Sequence, residues 1–256
     1  MELGYAVAGL VVGFIVGLTG VGGGSLMTPI LLWFGIAPST AVGTDLLYAA
    51  ITKAGGVFVH NKQKHVDWKL TGWLAMGSVP ASLLTLGLLS WLHLSSHALD
   101  SVFKLVLGLA LLLTAASILL KPKLIKLINP HGHPPAEFVL KPLPTVLIGV
   151  GLGVLVTLSS IGAGALGTLA LFVLYPALPT TRLVGTEIAH AVPLTLVAGL
   201  GHASMGNLNY MLLLNLLMGS LPGIWLGSKL TRRLTDSWLR PALAIMLAIV
   251  GAKLVM

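Results

Sequence analysis

Thr19-Gly-Val-Gly-Gly-Gly-Ser-Leu26 and Ser159-Ser-Ile-Gly-Ala-Gly-Ala-Leu166 lie 140 residues apart, and each breaks an otherwise continuous apolar run. The two runs, Leu3–Ile36 and Leu143–Pro176, are 34 residues long each. About 20 apolar residues suffice to cross a hydrocarbon core as a helix. Six further apolar segments, roughly Thr40–His60, Leu70–Leu92, Ser101–Leu120, Leu183–His202, Tyr210–Leu230 and Ser237–Val255, are close to that length. Two over-long, glycine-broken segments at corresponding positions of two halves point to the binding site of a transporter.

Composition fixes the solvent. The chain is 56% hydrophobic and only 9% charged, with a mean hydropathy of +0.97, whereas a soluble domain is about 25% charged. The expected fold class is therefore an all-α polytopic protein of the cell (inner) membrane, with the lipid bilayer as its partner. Long continuous runs rather than short alternating ones exclude a β-barrel. The net charge of +8 does not point to nucleic acid, because the cations cluster between apolar segments: Lys62, Lys64 and Lys69; Lys121, Lys123 and Lys126; Lys229, Arg232 and Arg233. That is the pattern of cytoplasmic loops. Cysteine is absent, so there is no disulfide and no thiolate chemistry. The first apolar run continues past Phe14 and reads as a membrane segment rather than a removable signal peptide.

The halves are a tandem duplication. Besides the glycine breaks, Val42-Gly-Thr-Asp45 matches Val184-Gly-Thr-Glu187, His60 falls on His202, and Gly77-Ser-Val-Pro80 falls on Gly219-Ser-Leu-Pro222, all at an offset of 142. Asp100-Ser-Val-Phe-Lys104 matches Asp236-Ser-Trp-Leu-Arg240 at 136. The first membrane repeat is assigned to 1–129, a cytoplasmic linker to 130–142 and the second repeat to 143–256. Equivalent loops carry opposite charge bias: Asn61–Lys69 holds three lysines and Ala203–Asn209 none. The positive-inside rule then predicts inverted repeats. Each repeat would be one re-entrant or half-helix segment plus three transmembrane helices. The arms of each broken segment, roughly 12–16 residues, are short for a full crossing. Asn61–Lys69, Lys121–Lys141 and Thr231–Thr235 are expected in the cytoplasm, and both termini outside.

The glycine breaks are the first candidates for chemistry. A half-helix that begins inside the membrane presents unpaired N–H groups and the positive end of its dipole. Gly20, Gly22, Gly23 and Gly24, with Gly162 and Gly164 in the second half, would let an oxyanion approach that backbone. The hydroxyls of Thr19, Ser25, Ser159 and Ser160 would add donors, and Lys53, inside an apolar stretch, would add positive charge or else snorkel to the basic loop. The competing reading of the glycines is close helix packing. Asp45 and Glu187 are costly in a membrane and suit proton coupling or gating, together with Thr44, Thr186 and His190. As an alternative, Gly43-Thr44 and Gly185-Thr186 begin a helix, and the carboxylates cap it. His190, three residues after Glu187, reads more readily as a core histidine than as a relay. His60 and His202 read as interfacial, as do Lys104 and Arg240 at the start of their helices. His131-Gly-His133 lacks further ligands, so no metal is assigned.

Gly20-Val-Gly-Gly-Gly24 followed by Pro29, then Pro38 and Ala41-Val-Gly-Thr44, resembles the sulfite exporter TauE/SafE family, with a degenerate echo in the second half. Gly43-Thr-Asp-Leu-Leu-Tyr-Ala-Ala-Ile-Thr-Lys53 followed by His60-Asn-Lys extends the likeness, which covers nearly the whole chain. The resemblance implies an inner-membrane permease for sulfite, organosulfonates and related anions. Ala163 and Ala165 stand where the first half has Gly23 and Ser25, so the second tip is expected to bind less. The resulting expectation is a transporter of a small anionic substrate by alternating access, with proton coupling as an option and no cofactor. An anion channel is the main alternative, followed by a cation carrier using Asp45, Glu187 and His190. An intramembrane enzyme is disfavoured, because no Gly-x4-Gly-Lys-Ser/Thr, no His-Glu-x-x-His and no nucleophile motif around Ser25 occurs. The sequence leaves a homo-oligomer open.

Overall fold

A computed structural model of the chain describes residues 2–19, 24–92, 95–128, 138–230 and 236–256. Among these the fold is wholly helical: α1 (Glu2–Thr19), α2 (Gly24–Trp33), α3 (Pro38–Lys62), α4 (Trp68–Trp91) and α5 (Ser96–Ile128) form the first half. The second half holds α6 (Pro142–Ser159), α7 (Ala165–Leu174), α8 (Thr180–Ser204), α9 (Tyr210–Leu230) and α10 (Asp236–Val255). Five helices, α3, α4, most of α5, α6 and α8, are long and apolar enough to cross a membrane. Large apolar side chains, among them Leu84, Leu113, Leu147 and Ile249, point outward. An apolar exterior of this extent belongs in lipid. The chain is a multi-pass membrane protein.

Each broken segment folds back as a hairpin. Tyr175, which ends α7, accepts a hydrogen bond from the N–H of Lys141 at 3.0 Å and meets the hydroxyl of Thr145, both at the start of α6. In the first half the ring of Tyr5, near the start of α1, lies edge-on to Phe34, just after α2, at 5.4 Å. The arms are unequal, 18 residues for α1 and α6 and 10 for α2 and α7, against the near-equal arms expected. At 1.5 Å per residue, the long arm reaches about 27 Å and the short one about 15 Å. α5 also runs past its expected end, so Lys121 and Lys123 belong to its last turns rather than to a loop.

The halves exchange partners. α1 packs along α9, and α6 packs along α4. At both contacts glycine pairs four apart make the approach possible. A Cβ on Gly9 or Gly13 would strike the backbone at Leu216 or Ser220, and one on Gly149 or Gly153 would strike that at Leu74 or Ser78. This is the small-xxx-small packing of membrane helices. α3 and α8 form the central pair and run antiparallel: Gly43 lies beside His202, Leu47 beside Gly199 and Gly56 beside Ile188. Contacts at the ends are reciprocal. Gly43 abuts the carbonyl of Asn207, and Gly185 abuts that of His65.

Candidate functional site

The site grows from α3 and α8, whose apolar sequences each carry an acid at the eighth helical residue, Asp45 and Glu187. Neither lies in a first turn, so the capping role does not hold. Both are fully buried. The Thr28 hydroxyl, on short helix α2, donates to Oδ2 of Asp45, and the Ser160 hydroxyl faces the same carboxylate. Asp45 thereby binds the short arm of the first hairpin and lies close to the tip of the second.

That tip is built by backbone conformation. Ser159 ends α6, and its hydroxyl donates to the Leu155 carbonyl and accepts the N–H of Ile161. Ser160 turns left-handed at φ 57°, and Gly162 and Gly164 take φ of 121° and 156°. The last two angles are barred to most side chains. The N–H groups of Gly167 and Thr168 close the turn, donating to the carbonyls of Gly162 and Gly164 at 2.9 Å each. Lys53, only 6% exposed, donates from Nζ to the Ala163 carbonyl at 2.5 Å. It does not snorkel; it lodges against the second tip and feels the charge of both Glu187 and Asp45. Neither acid forms an ion pair with it.

The carboxylate of Glu187 lies against Gly167, where a Cβ would have to stand. Both its oxygens are buried without a hydrogen-bond partner. His190 places Nδ1 3.6 Å from Oε2 of Glu187, and its Nε2 bonds the Ser78 hydroxyl at 2.8 Å. It is a core histidine, but one that faces an acid. Thr44 and Thr186 turn away from the carboxylates to clasp the opposite half. Thr44 Oγ1 accepts the N–H of Asn209 at 3.3 Å, and Thr186 Oγ1 accepts that of Asp67 at 3.0 Å. Arg182 bonds Asp67 at 2.9 Å beside the second clasp.

His202 lies two residues before the end of α8. It is fully buried, bonds the Thr157 carbonyl at 2.9 Å and packs on the Phe103 ring. His60 is half-buried and faces His65. Lys104 is exposed and sits well inside α5, which begins at Ser96. Gly20, Gly22 and Gly23 lie outside the described residues, as do the side chains of Thr19, Ser25 and Arg240 and the His131-Gly-His133 pair. Thr28, Ser78 and Gly167 were not singled out from the sequence. The signal was there, since Thr28 and Thr168 stand at the same offset of 140 as the glycine breaks.

Comparison with known proteins now bears on this arrangement. The model of the family "Sulfite exporter TauE/SafE" matches residues 5–254. The chain belongs to the sulfite exporter TauE/SafE family. Among TauE/SafE relatives, it is 41% identical over the full length of both chains to the "Probable membrane transporter protein YjnA" of Bacillus subtilis (strain 168). It is 28% identical to YdhB of the same organism, over 94% of this chain and 95% of that one. A further "Probable membrane transporter protein", MJ0441 of Methanocaldococcus jannaschii, is 28% identical over 94% of this chain and 92% of its own. No solved structure matches significantly. The buried cluster around Lys53 thus belongs to a TauE/SafE membrane transporter.

Proposed function

We propose that the chain moves a small anion of the sulfite or sulfonate type across the cell membrane by alternating access between inverted repeats, with protons accompanying the anion. The observation that carries this reading is Lys53, buried at the tip of the second hairpin between two buried acids. A buried ammonium beside the first turn of α7 is a place for an oxyanion, since the helix N-terminus adds its own positive potential.

Charge arithmetic links the anion to protons. With both carboxylates ionised, Lys53, Asp45 and Glu187 sum to one negative charge, and an anion is repelled. One proton makes the cluster neutral, and a second makes it positive. In a low-dielectric site such differences dominate. The substrate class comes from the family, whose model bears the name of a sulfite exporter.

The antiparallel α3–α8 pair and the reciprocal clasps support the inverted arrangement, in which the two hairpins enter from opposite faces. Rocking of one half on the other would expose the cluster first to one side and then to the other. The test is uptake of sulfite, sulfate, thiosulfate and a small sulfonate by proteoliposomes under imposed pH gradients. Accumulation that follows the proton gradient supports the reading. Flux that follows voltage alone, with no response to pH, makes the protein a channel instead.

A further inference from the structure

The two halves place corresponding residues at corresponding points around the cluster, yet the chemistry differs. In the first half Asp45 is held by the Thr28 hydroxyl, and one turn along α3 stands Tyr48, whose hydroxyl faces Ser220. In the second half Thr168, the counterpart of Thr28, leaves Glu187 alone, and both oxygens of Glu187 are buried and bare. One turn along α8 stands His190, bonded to Ser78, the counterpart of Ser220. Phenol has been exchanged for imidazole, and a carboxylate with one oxygen bonded for one with neither. Tyr48 cannot ferry protons near neutral pH, whereas a histidine can.

Reach differs as well. Glutamate is one methylene longer than aspartate, and Gly167 stands where the first half has Met27. The missing side chain lets the Glu187 carboxylate reach the first turn of α7, the position an anion would take beside Lys53. We infer that Glu187 and His190 are the proton-carrying pair, that the Glu187 carboxylate holds the anion's place until it is protonated, and that Asp45 stays fixed as the counter-charge of Lys53. This rests on the anion-transport reading above.

The step balances simply. With Nε2–H donating to Ser78, the bare Nδ1 of His190 accepts a proton from water admitted when the site is open, and becomes imidazolium without losing the Ser78 bond. It passes that proton to Oε2 of Glu187 and returns to neutral imidazole. The acid, now uncharged, no longer competes for Lys53, and the anion takes its place. On the far side the anion leaves, Glu187 returns the proton through Nδ1 of His190 to water on that side, and its carboxylate resumes the position. Few other groups intervene among the described residues. Lys53 and Asp45 face the cluster from α3, α4 contributes Ser78, and α6 and α7 carry no titratable side chain. His202 is committed to Thr157 further along α8, and Arg182 to Asp67 at its start.

Infrared difference spectroscopy in liposomes tests the assignment without any substrate. On acidification the carbonyl stretch of a protonated carboxylic acid is expected in the wild type and in Asp45→Asn, and is expected to be absent in Glu187→Gln. In proteoliposomes Glu187→Gln should retain exchange of labelled for unlabelled anion but lose accumulation driven by a pH gradient. His190→Gln should show the same split, and it carries the test if Glu187→Gln does not fold. A band that persists in Glu187→Gln or vanishes in Asp45→Asn overturns the inference, as does gradient-driven accumulation by both Glu187→Gln and His190→Gln. Wild-type vesicles that take up none of the anions sink the transport reading, while the infrared titration still decides the Glu187 assignment.

Discussion

Lys53 reaches from the first half of the chain to the second and donates to the Ala163 carbonyl at 2.5 Å, across 110 residues of sequence. The bond ties the midpoint of α3 to a turn that only glycine can make. It also keeps a positive charge inside an apolar protein, where two carboxylates make that charge tolerable.

Replacing Lys53 with methionine keeps the length and removes the charge. Losing the ammonium leaves the buried Ala163 carbonyl without its donor, at about 1–3 kcal/mol. Lys53→Met is therefore expected to lower thermal stability in detergent and to reduce anion uptake to background. Uptake at wild-type rates by a folded Lys53→Met protein would remove Lys53 from the substrate path.

Gly167 makes room for Glu187, so a methyl group there must displace the carboxylate. Gly167→Ala should destabilise by about 1–3 kcal/mol, the usual range for overpacking. Pairing it with Glu187→Asp shortens the acid as in the first half, and should recover much of the lost melting temperature. A double variant no more stable than Gly167→Ala alone would show that the strain arises elsewhere.

The swapped helix contacts make a symmetric forecast. Gly9→Ala and Gly149→Ala push a Cβ into neighbouring backbone and should each cost about 1–3 kcal/mol. Gly72→Ala and Gly151→Ala meet open space and should stay within about 0.5 kcal/mol of wild type. Melting curves of the four variants compare the two classes directly, and overlap between them would argue against glycine-mediated packing.

The chain has no cysteine, so single cysteines report sidedness without background. Gln63 and Ser204 are both exposed, at the ends of α3 and α8. A membrane-impermeant thiol reagent is expected to label Gln63→Cys only from the cytoplasm and Ser204→Cys only from outside. Labelling of both from one face would refute the inverted topology.

Much of this was legible because membrane segments write their constraints plainly. Length and apolarity marked the helices, and matched glycines marked the two breaks. Burial was harder to read. His202 closes an apolar run, and no local pattern shows that α8 ends under Phe103 and the start of α3, which bury the ring. Asp45 and Glu187 could equally have been caps, since Gly-Thr before an acid fits a helix start. Only the positions of Pro38 and Thr180 put them a full two turns inside. The Thr28–Asp45 and Ser78–His190 bonds join residues far apart in the chain. No local pattern announces such pairs, although the repeat offset could have nominated Thr28. Arm lengths were misjudged because a glycine cluster shows where a helix stops and says little about how evenly it is divided.

The exchange of partners between halves has a bearing on how the protein is made. α1 leaves the ribosome well before α9, the helix it lies along, which is not complete until residue 230 has been added. Through most of synthesis the glycine face of α1 has only lipid, or the insertion machinery, against it. α4 likewise waits for α6. Neither half can bury its own seams, so a fragment ending at the linker would enter the bilayer yet remain open to degradation. Both halves together, rather than either one, close these seams.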